Sequence, residues 1–395
     1  MIRFAFGGFI LLLAMGQACR PSENIGPLSP TLSQGRLDSI PYNPTAYTLP
    51  VINGLPPMEI PDDNPLTVQG IKLGRLLFYD PMLSRDSTMS CGSCHNIRKA
   101  FTDGRPTAVG IRGIASNRNS MSLINVGYNW NRSRQHNFNW DGKFYSLEDQ
   151  VLAPIEHPLE MDANWDSIEA RLRRHPEYPR LFRQAFGIGD RAQVTRYLAA
   201  KAMAQFLRTL NSANSMYDQH EWVPFVYMTD QQLRGFQLFL GDAAGNPTGK
   251  DGECAHCHSF SRNRALFARN NFSNNGLDSA ASLTDFVDLG LGAVTGRATD
   301  NGRFREVSLR NIALTAPYMH DGRFNTLEEV LDHYVMGLHP APNLANELAS
   351  APDLPRLTQQ EKQDIIAFLH ALTDTSYFNR TEWMNPFVVE SNPWQ

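Results

Sequence analysis

Cys91-Gly92-Ser93-Cys94-His95 and Cys254-Ala255-His256-Cys257-His258 decide how this chain is read. Cys-x-x-Cys-His is the attachment signature of c-type haem. The two thiols become thioethers to the haem vinyl groups, and the histidine that follows is the proximal iron ligand. One such pentapeptide is compatible with a zinc half-site or a disulfide. Two in one chain, each closed by histidine, point to two covalent haems, held by Cys91, Cys94 and His95 and by Cys254, Cys257 and His258.

The two motifs use four of the five cysteines, leaving Cys19 and no pair for a structural disulfide. Arg3 is a thin positive region, and Phe4 to Met15 is an apolar run too short to span a bilayer comfortably. Gly16-Gln17-Ala18-Cys19 resembles a lipoprotein box, although Gly16 stands where leucine is preferred. The expectation is a signal segment over residues 1–18 and a lipid-anchored, periplasmic protein beginning at Cys19. Ordinary cleavage near Ala18 is the alternative. No other apolar run is long enough to cross a membrane, so the membrane is reached only through the anchor. The charge is balanced, 36 Lys and Arg against 40 Asp and Glu, a net of -4. That offers no basic footprint for nucleic acid.

Residues 19–61 read as a Pro-rich tether, since Arg20 to Pro65 holds ten of the 25 prolines. Folding is expected from near Leu66, where Val68, Ile71, Leu76 and Leu77 share a helical face that ends at Asp80-Pro81. Asp166 to Phe186 and Gln193 to Leu210 read as helices, Ser212 to Pro224 as a joint, and Phe260 to Gly302 as loop. Thr229 with Gln232, and Thr358 with Glu361, are capping-box patterns opening two further helices. Gly235-Phe236-Gln237-Leu238-Phe239 echoes Gly74-Arg75-Leu76-Leu77-Phe78, so a helix–loop–haem unit occurs twice. Duplication of one module explains this, and chance similarity of amphipathic helices is the alternative. The fold class is mainly α, with two cytochrome-c-like haem domains in tandem.

A haem held by one histidine has a second axial position. Vacant, it admits peroxide; filled by a side chain, it leaves the haem mainly an electron carrier. The residues after each haem motif are specific on this point. Trp140-Asp141-Gly142-Lys143, Ser146 to Gln150, Ala153-Pro154-Ile155 and Pro158-Leu159-Glu160-Met161 follow the first. Ser308 to Asn311, Thr315 to Gly322 and Thr326 to Glu329 follow the second. Over roughly Asp62 to Phe387 this pattern resembles the bacterial di-haem cytochrome c peroxidase family, which includes MauG.

The resemblance implies a peroxidatic domain over 62–220 and an electron-transfer domain over 221–395, with the last segment packing back on the first. It places Trp140 between the haems, and Gln150, Pro154 and Glu160 around the peroxide pocket of the first. It also implies one calcium ion held by Asn119, Thr315 and Pro317 at the domain interface. Without the resemblance Trp140 reads as core packing, Glu160 as a helix-start carboxylate and Gln150 as an exposed helical residue.

Two departures from the common family pattern stand out. Ile111 occupies the place of a distal histidine in the loop after the first haem, and an aliphatic side chain cannot bind iron. His136 reads as a surface or packing histidine. Many members have methionine fourteen positions after the histidine of the His-Asp-Gly motif; counting from His320 reaches Tyr334 instead, as in the MauG branch. Tyr334 is therefore the expected iron ligand opposite His258, with Met319 and Met336 as rivals.

The function these readings imply is reduction of hydrogen peroxide to water at the first haem. Electrons would come through the second haem from a small c-type cytochrome or another redox protein. Two alternatives stand beside it. One is a MauG-like oxidase that spends peroxide-derived oxidising equivalents on a protein substrate. The other is a non-catalytic electron-transfer cytochrome.

Overall fold

A computed structural model describes residues 35–129, 137–241, 252, 254–349 and 357–395. The export segment, Cys19 and His136 lie outside the described residues. Fourteen α-helices are present among them, and two two-residue strands. The strands, β1 (Phe272–Ser273) and β2 (Phe304–Arg305), pair antiparallel with Phe272 opposite Arg305. No described helix is long and apolar enough to cross a membrane.

The helices fall into two sets of the same design. In the first, α1 (Val68–Tyr79) leads to the single haem-motif turn α2 (Cys91–Cys94), then α3 (Leu147–Glu156) and, later, α6 (Arg196–Leu207). In the second, α8 (Asp230–Leu240), α9 (Cys254–Cys257), α11 (Leu327–Met336) and α13 (Gln359–Ala371) repeat that order. α1 packs on α6 as α8 packs on α13. A glycine sits at each crossing, and the reason is steric. A Cβ on Gly74 would lie 1.9 Å from the Ala202 carbonyl oxygen, and one on Gly235 1.8 Å from that of Asp364. Thr229 and Thr358 close the capping boxes of α8 and α13.

The first set is lengthened by α4 (Trp165–Arg174) and α5 (Tyr178–Phe186). The sequence reads as one helix there. Pro176 breaks it, because a residue before proline is driven out of the helical region, and His175 has ψ 140°. Leu73, Leu77, Ile155, Trp165, Ile168, Leu172, Phe182 and Ala202 form one buried core. Phe239, Phe267, Ile365, Phe368 and Leu372 form the core of the second set. Full burial is worth roughly 1.5–3 kcal/mol for each Leu, Ile or Phe side chain. The cores therefore hold the helices without disulfides, none joining the four described cysteines.

Two segments run differently from the sequence reading. Residues 35–61, read as tether, lie against the body. Leu37 is 3% exposed within the first core and its N–H donates to the Gly189 carbonyl, while Leu55 is buried beside Tyr128 and Leu266. Prolines forbid helix there but not an extended segment with a few buried apolar anchors. The joint at Ser212 to Pro224 contains α7 (Met216–Trp222), whose Asp218 forms a buried bidentate pair with Arg310. The C-terminal residues from Ser376 return to the first set. Tyr377 and Trp383 are buried beside Phe101, the Tyr79 hydroxyl donates to the Trp383 carbonyl at 2.6 Å, and Arg75 pairs with Glu390.

Candidate haem sites and the cleft between them

Each haem motif is one helical turn ending in its histidine, so both thiols and the imidazole leave the same short element. His95 Nδ1 lies 2.6 Å from the Phe101 carbonyl oxygen, and His258 Nδ1 3.0 Å from that of Val307. A carbonyl oxygen only accepts, so Nδ1 carries the proton in each ring and Nε2 presents its lone pair. Burial lowers both imidazole pKa values, which keeps the rings neutral. A neutral imidazole with Nδ1–H held by a backbone carbonyl is the arrangement of a metal ligand. The residues present thus fit a c-type haem at both motifs.

The second site opens on an apolar cavity of about 280 Å³, lined by Cys254, Cys257, His258, Phe239, Leu309 and Leu331 among others. Tyr334 and Met319 both line it. Their heteroatoms converge on one amide: Asn275 Nδ2 donates to the Tyr334 hydroxyl at 3.3 Å and lies 3.6 Å from the Met319 sulfur. Burial pushes the Tyr334 phenol up to about 12, with the Asn275 bond opposing. Met336 is 76% exposed, since two further residues along α11 turn its side chain away. The structure therefore removes Met336 from the rivals and brings the other two together.

The first site is built on the same plan with different side chains. Ser146 caps α3 and Thr326 caps α11. Eight residues beyond each cap stand Pro154 and Tyr334. The Pro154 side chain has no atom that could bind iron. The repeat that shows this equivalence was legible: Trp140-Asp141-Gly142 and His320-Asp321-Gly322 stand in register, each fourteen residues before it. The parallel continues in the backbone. Phe138 bridges Phe144 as Tyr318 bridges Phe324, and Asn139 and Met319 both adopt positive φ.

Gln150 and Glu160 lie on either side of Pro154. Glu148, paired with buried Arg208 at 2.7 Å, holds α3 to the end of α6. Gln150 Oε1 is buried with no hydrogen-bond partner. The Glu160 side chain keeps 40% of its surface accessible. Its carboxylate lies within electrostatic reach of the Cys91 and Cys94 thiols. Surrounding protein raises its pKa, with His157 opposing; His157 Nδ1 lies 3.5 Å from Oε1. The loop bearing Ile111 is fastened to the same backbone. Ile111 N–H donates to the Glu160 carbonyl at 2.8 Å, and Arg112 pairs with Asp162. Gly110 is required there, a Cβ falling 2.0 Å from the Leu159 carbonyl oxygen.

Trp140 stands between the two halves. Its Nε1 donates to the Asn119 carbonyl at 2.9 Å, Asn119 N–H donates to the His320 carbonyl, and Arg305 N–H donates to the Trp140 carbonyl. Trp140, Asn119, Thr315 and Pro317 all line the second cavity. Asn119 Nδ2 donates to the carbonyl of Arg105. Among the described residues no three His, Cys, Asp or Glu side chains gather as a metal site. A cation here would be held by amide and carbonyl oxygens, donors that suit calcium.

A family profile described as "Di-haem cytochrome c peroxidase" matches residues 68–222. Methylamine utilization protein MauG of Methylorubrum extorquens is 36% identical, over 79% of this chain and 80% of that protein. Cytochrome-c peroxidase IdrP1 of a Pseudomonas strain is 32% identical, over 82% of this chain and 86% of that one. Among solved structures, a MauG-like protein associated with microbial copper homeostasis superposes with a TM-score of 0.72 and 35% identity. The match covers 87% of this chain and 100% of that one.

The convergence of Tyr334 and Met319 generates a spectroscopic prediction. In the haem-loaded protein, Y334F should change the absorbance and electron paramagnetic resonance of one haem, while M336L leaves both haems as they are. A Y334F spectrum identical to wild type would remove Tyr334 and leave Met319 as the axial side chain.

Proposed function

This chain belongs to the di-haem cytochrome c peroxidase family that includes MauG, and we propose that it reduces hydrogen peroxide at the first haem site with electrons passed through the second. The observation that carries this reading is the exchange of Tyr334 for Pro154 at equivalent helical positions. One half offers a ligand atom to its cavity; at the matching position of the other stands Pro154, with Gln150 four residues before it and Glu160 six after it. That asymmetry also disfavours a pure electron carrier, which has no use for an open site beside a carboxyl group.

The peroxide-binding site lies in residues 62–220 and the electron-transfer site in 221–395. Bound haem supplies the iron at which the O–O bond is cleaved and through which electrons pass. The protein supplies the rest. The overall change is H2O2 with two electrons and two protons to two waters. Glu160 takes a proton from one peroxide oxygen and returns it to the other, so that the departing oxygen leaves as water. Burial raises its pKa, the direction that helps a carboxyl group hold a proton before passing it on. The Gln150 amide orients the peroxide, and Pro154 keeps the axial position clear. Trp140, bonded to Asn119 and held by Arg305, relays electrons between the halves. The donor is a small c-type cytochrome or another redox protein.

Tyr334 favours a second reading. An anionic phenolate stabilises the more oxidised iron by charge compensation. Oxidising equivalents obtained from peroxide could then be drawn from a protein substrate instead of a soluble donor, as in a MauG-like oxidase.

Calcium held by Asn119, Thr315 and Pro317 belongs to the same proposal, since it would steady the backbone beside Trp140. Metal analysis of the purified enzyme should find one calcium per chain, and its removal with a chelator should lower turnover until calcium is returned. Full turnover by calcium-free protein would remove the ion from the account.

E160Q should retain both haems and lose roughly 10²–10⁴-fold in the rate of peroxide cleavage, the usual worth of general acid–base assistance. Stability separates chemistry from folding. A carboxyl whose pKa is raised on folding weakens the fold as pH climbs from its unfolded value through its folded one. Removing that ionisation relieves the penalty, so E160Q should unfold at or above the wild-type temperature at neutral pH. Unchanged turnover would make Glu160 structural.

A further inference from the structure

Arg305 is 4% exposed and lines the second cavity. Its Nε donates to the Asn139 carbonyl at 3.0 Å, and its guanidinium lies 5.3 Å from the centre of the Phe272 ring. Nη1 and Nη2, the two ends that carry most of its donors, are buried with no hydrogen-bond partner. The other buried arginines differ. Arg208 holds Glu148, and Arg310 holds Asp218. The carboxylate nearest in effect, Asp141, is itself bonded to Arg118 at 2.7 Å. Glu306, the next residue along, is engaged by Arg269 and Ser273.

A buried cation with free donors needs an anion, and the described residues around it supply none that is unclaimed. The occupant of the cavity brings one. Haem carries two propionate carboxylates, and a guanidinium with two free N–H ends matches a carboxylate in a paired geometry. We propose that Arg305 is the propionate anchor of the second haem, binding one of its carboxylates through Nη1 and Nη2. Burial also drives the Arg305 pKa down to about 9, the direction expected of a charge whose partner is missing. Because Arg305 is bonded through its backbone and Nε to Trp140 and Asn139, this anchor ties the haem to the segment that joins the two halves.

The inference rests on the reading that the second cavity holds haem, and a count of haem per chain tests that reading separately. Two attached haems keep it; one or none in the wild type overturns it. With two attached, spectroelectrochemical titration of R305Q tests the anchor. Loss of the cation leaves the propionate charge uncompensated and favours ferric iron. The midpoint potential of the second haem should fall, by about 59 mV if the reduction equilibrium shifts tenfold. The first haem should keep its potential, and R305K should restore most of the loss. Unchanged potentials in R305Q carrying both haems would overturn the proposal, leaving Arg305 as a clamp on the Asn139 carbonyl. Should R305Q fail to attach haem, R305K decides by resonance Raman. A shifted propionate bending mode supports the anchor, and an unshifted one refutes it.

Discussion

Ser212 is the buried point on which the two halves meet. Its N–H donates to Asn125 Oδ1 and its carbonyl accepts from Asn125 Nδ2, while its hydroxyl accepts from Asn311 Nδ2 and donates to Asp374. Asn125 and Asn311 are the same residue of the two repeats. Both adopt left-handed backbone, with φ 59° and 62°, and each backbone N–H donates to a carbonyl just past a helix, at Leu210 after α6 and at Leu372 after α13. Asparagine is suited to the task, since it tolerates that conformation and carries both a donor and an acceptor. All four side chains of the network are at most 5% exposed. Leaving any one group unpaired there would cost about 1–3 kcal/mol. The spacing between the two sites is therefore set by a network with little freedom to slide, as the proposed electron passage through Trp140 would require.

On that fixed frame the halves diverge by a small number of side chains. Equivalent serines, Ser122 and Ser308, bind equivalent carbonyls at Ala100 and Leu266, both at 2.6 Å. Both proximal histidines are oriented by carbonyls. The halves differ at the helix that begins with Ser146 in one half and Thr326 in the other. On the proposed reading, Pro154 leaves one position open and Tyr334 closes the other. His320 shows the same divergence from Trp140: it stacks on Phe304 at 3.5 Å between ring centres, while Trp140 reaches across to Asn119.

The sequence made the haem turns, the helix starts at Thr229 and Thr358, and the repeated Gly74 and Gly235 legible, because each rests on local chemistry. The equivalence of Pro154 and Tyr334 was equally present in the residues but is visible only when the two repeats are set in register. Other features depend on contacts far apart in the chain. Leu37 becomes core because Gly189 lies beside it, and nothing within residues 35–61 announces that. The unpartnered donors of Arg305 and the exposure of Met336 are likewise facts of packing. Pro176 was a visible break within an otherwise helical pattern, and its effect on His175 is local enough to have been read.

The central claim is that the first site is open as the protein stands, because Ile111 and Pro154 offer no ligand, and that Tyr334 lets the second site tolerate oxidised iron. Stopped-flow mixing of the fully ferric protein with peroxide tests it most directly. The account predicts rapid changes in the Soret band with no reductant present. A ferric protein that stays inert until one haem has been reduced would contradict it.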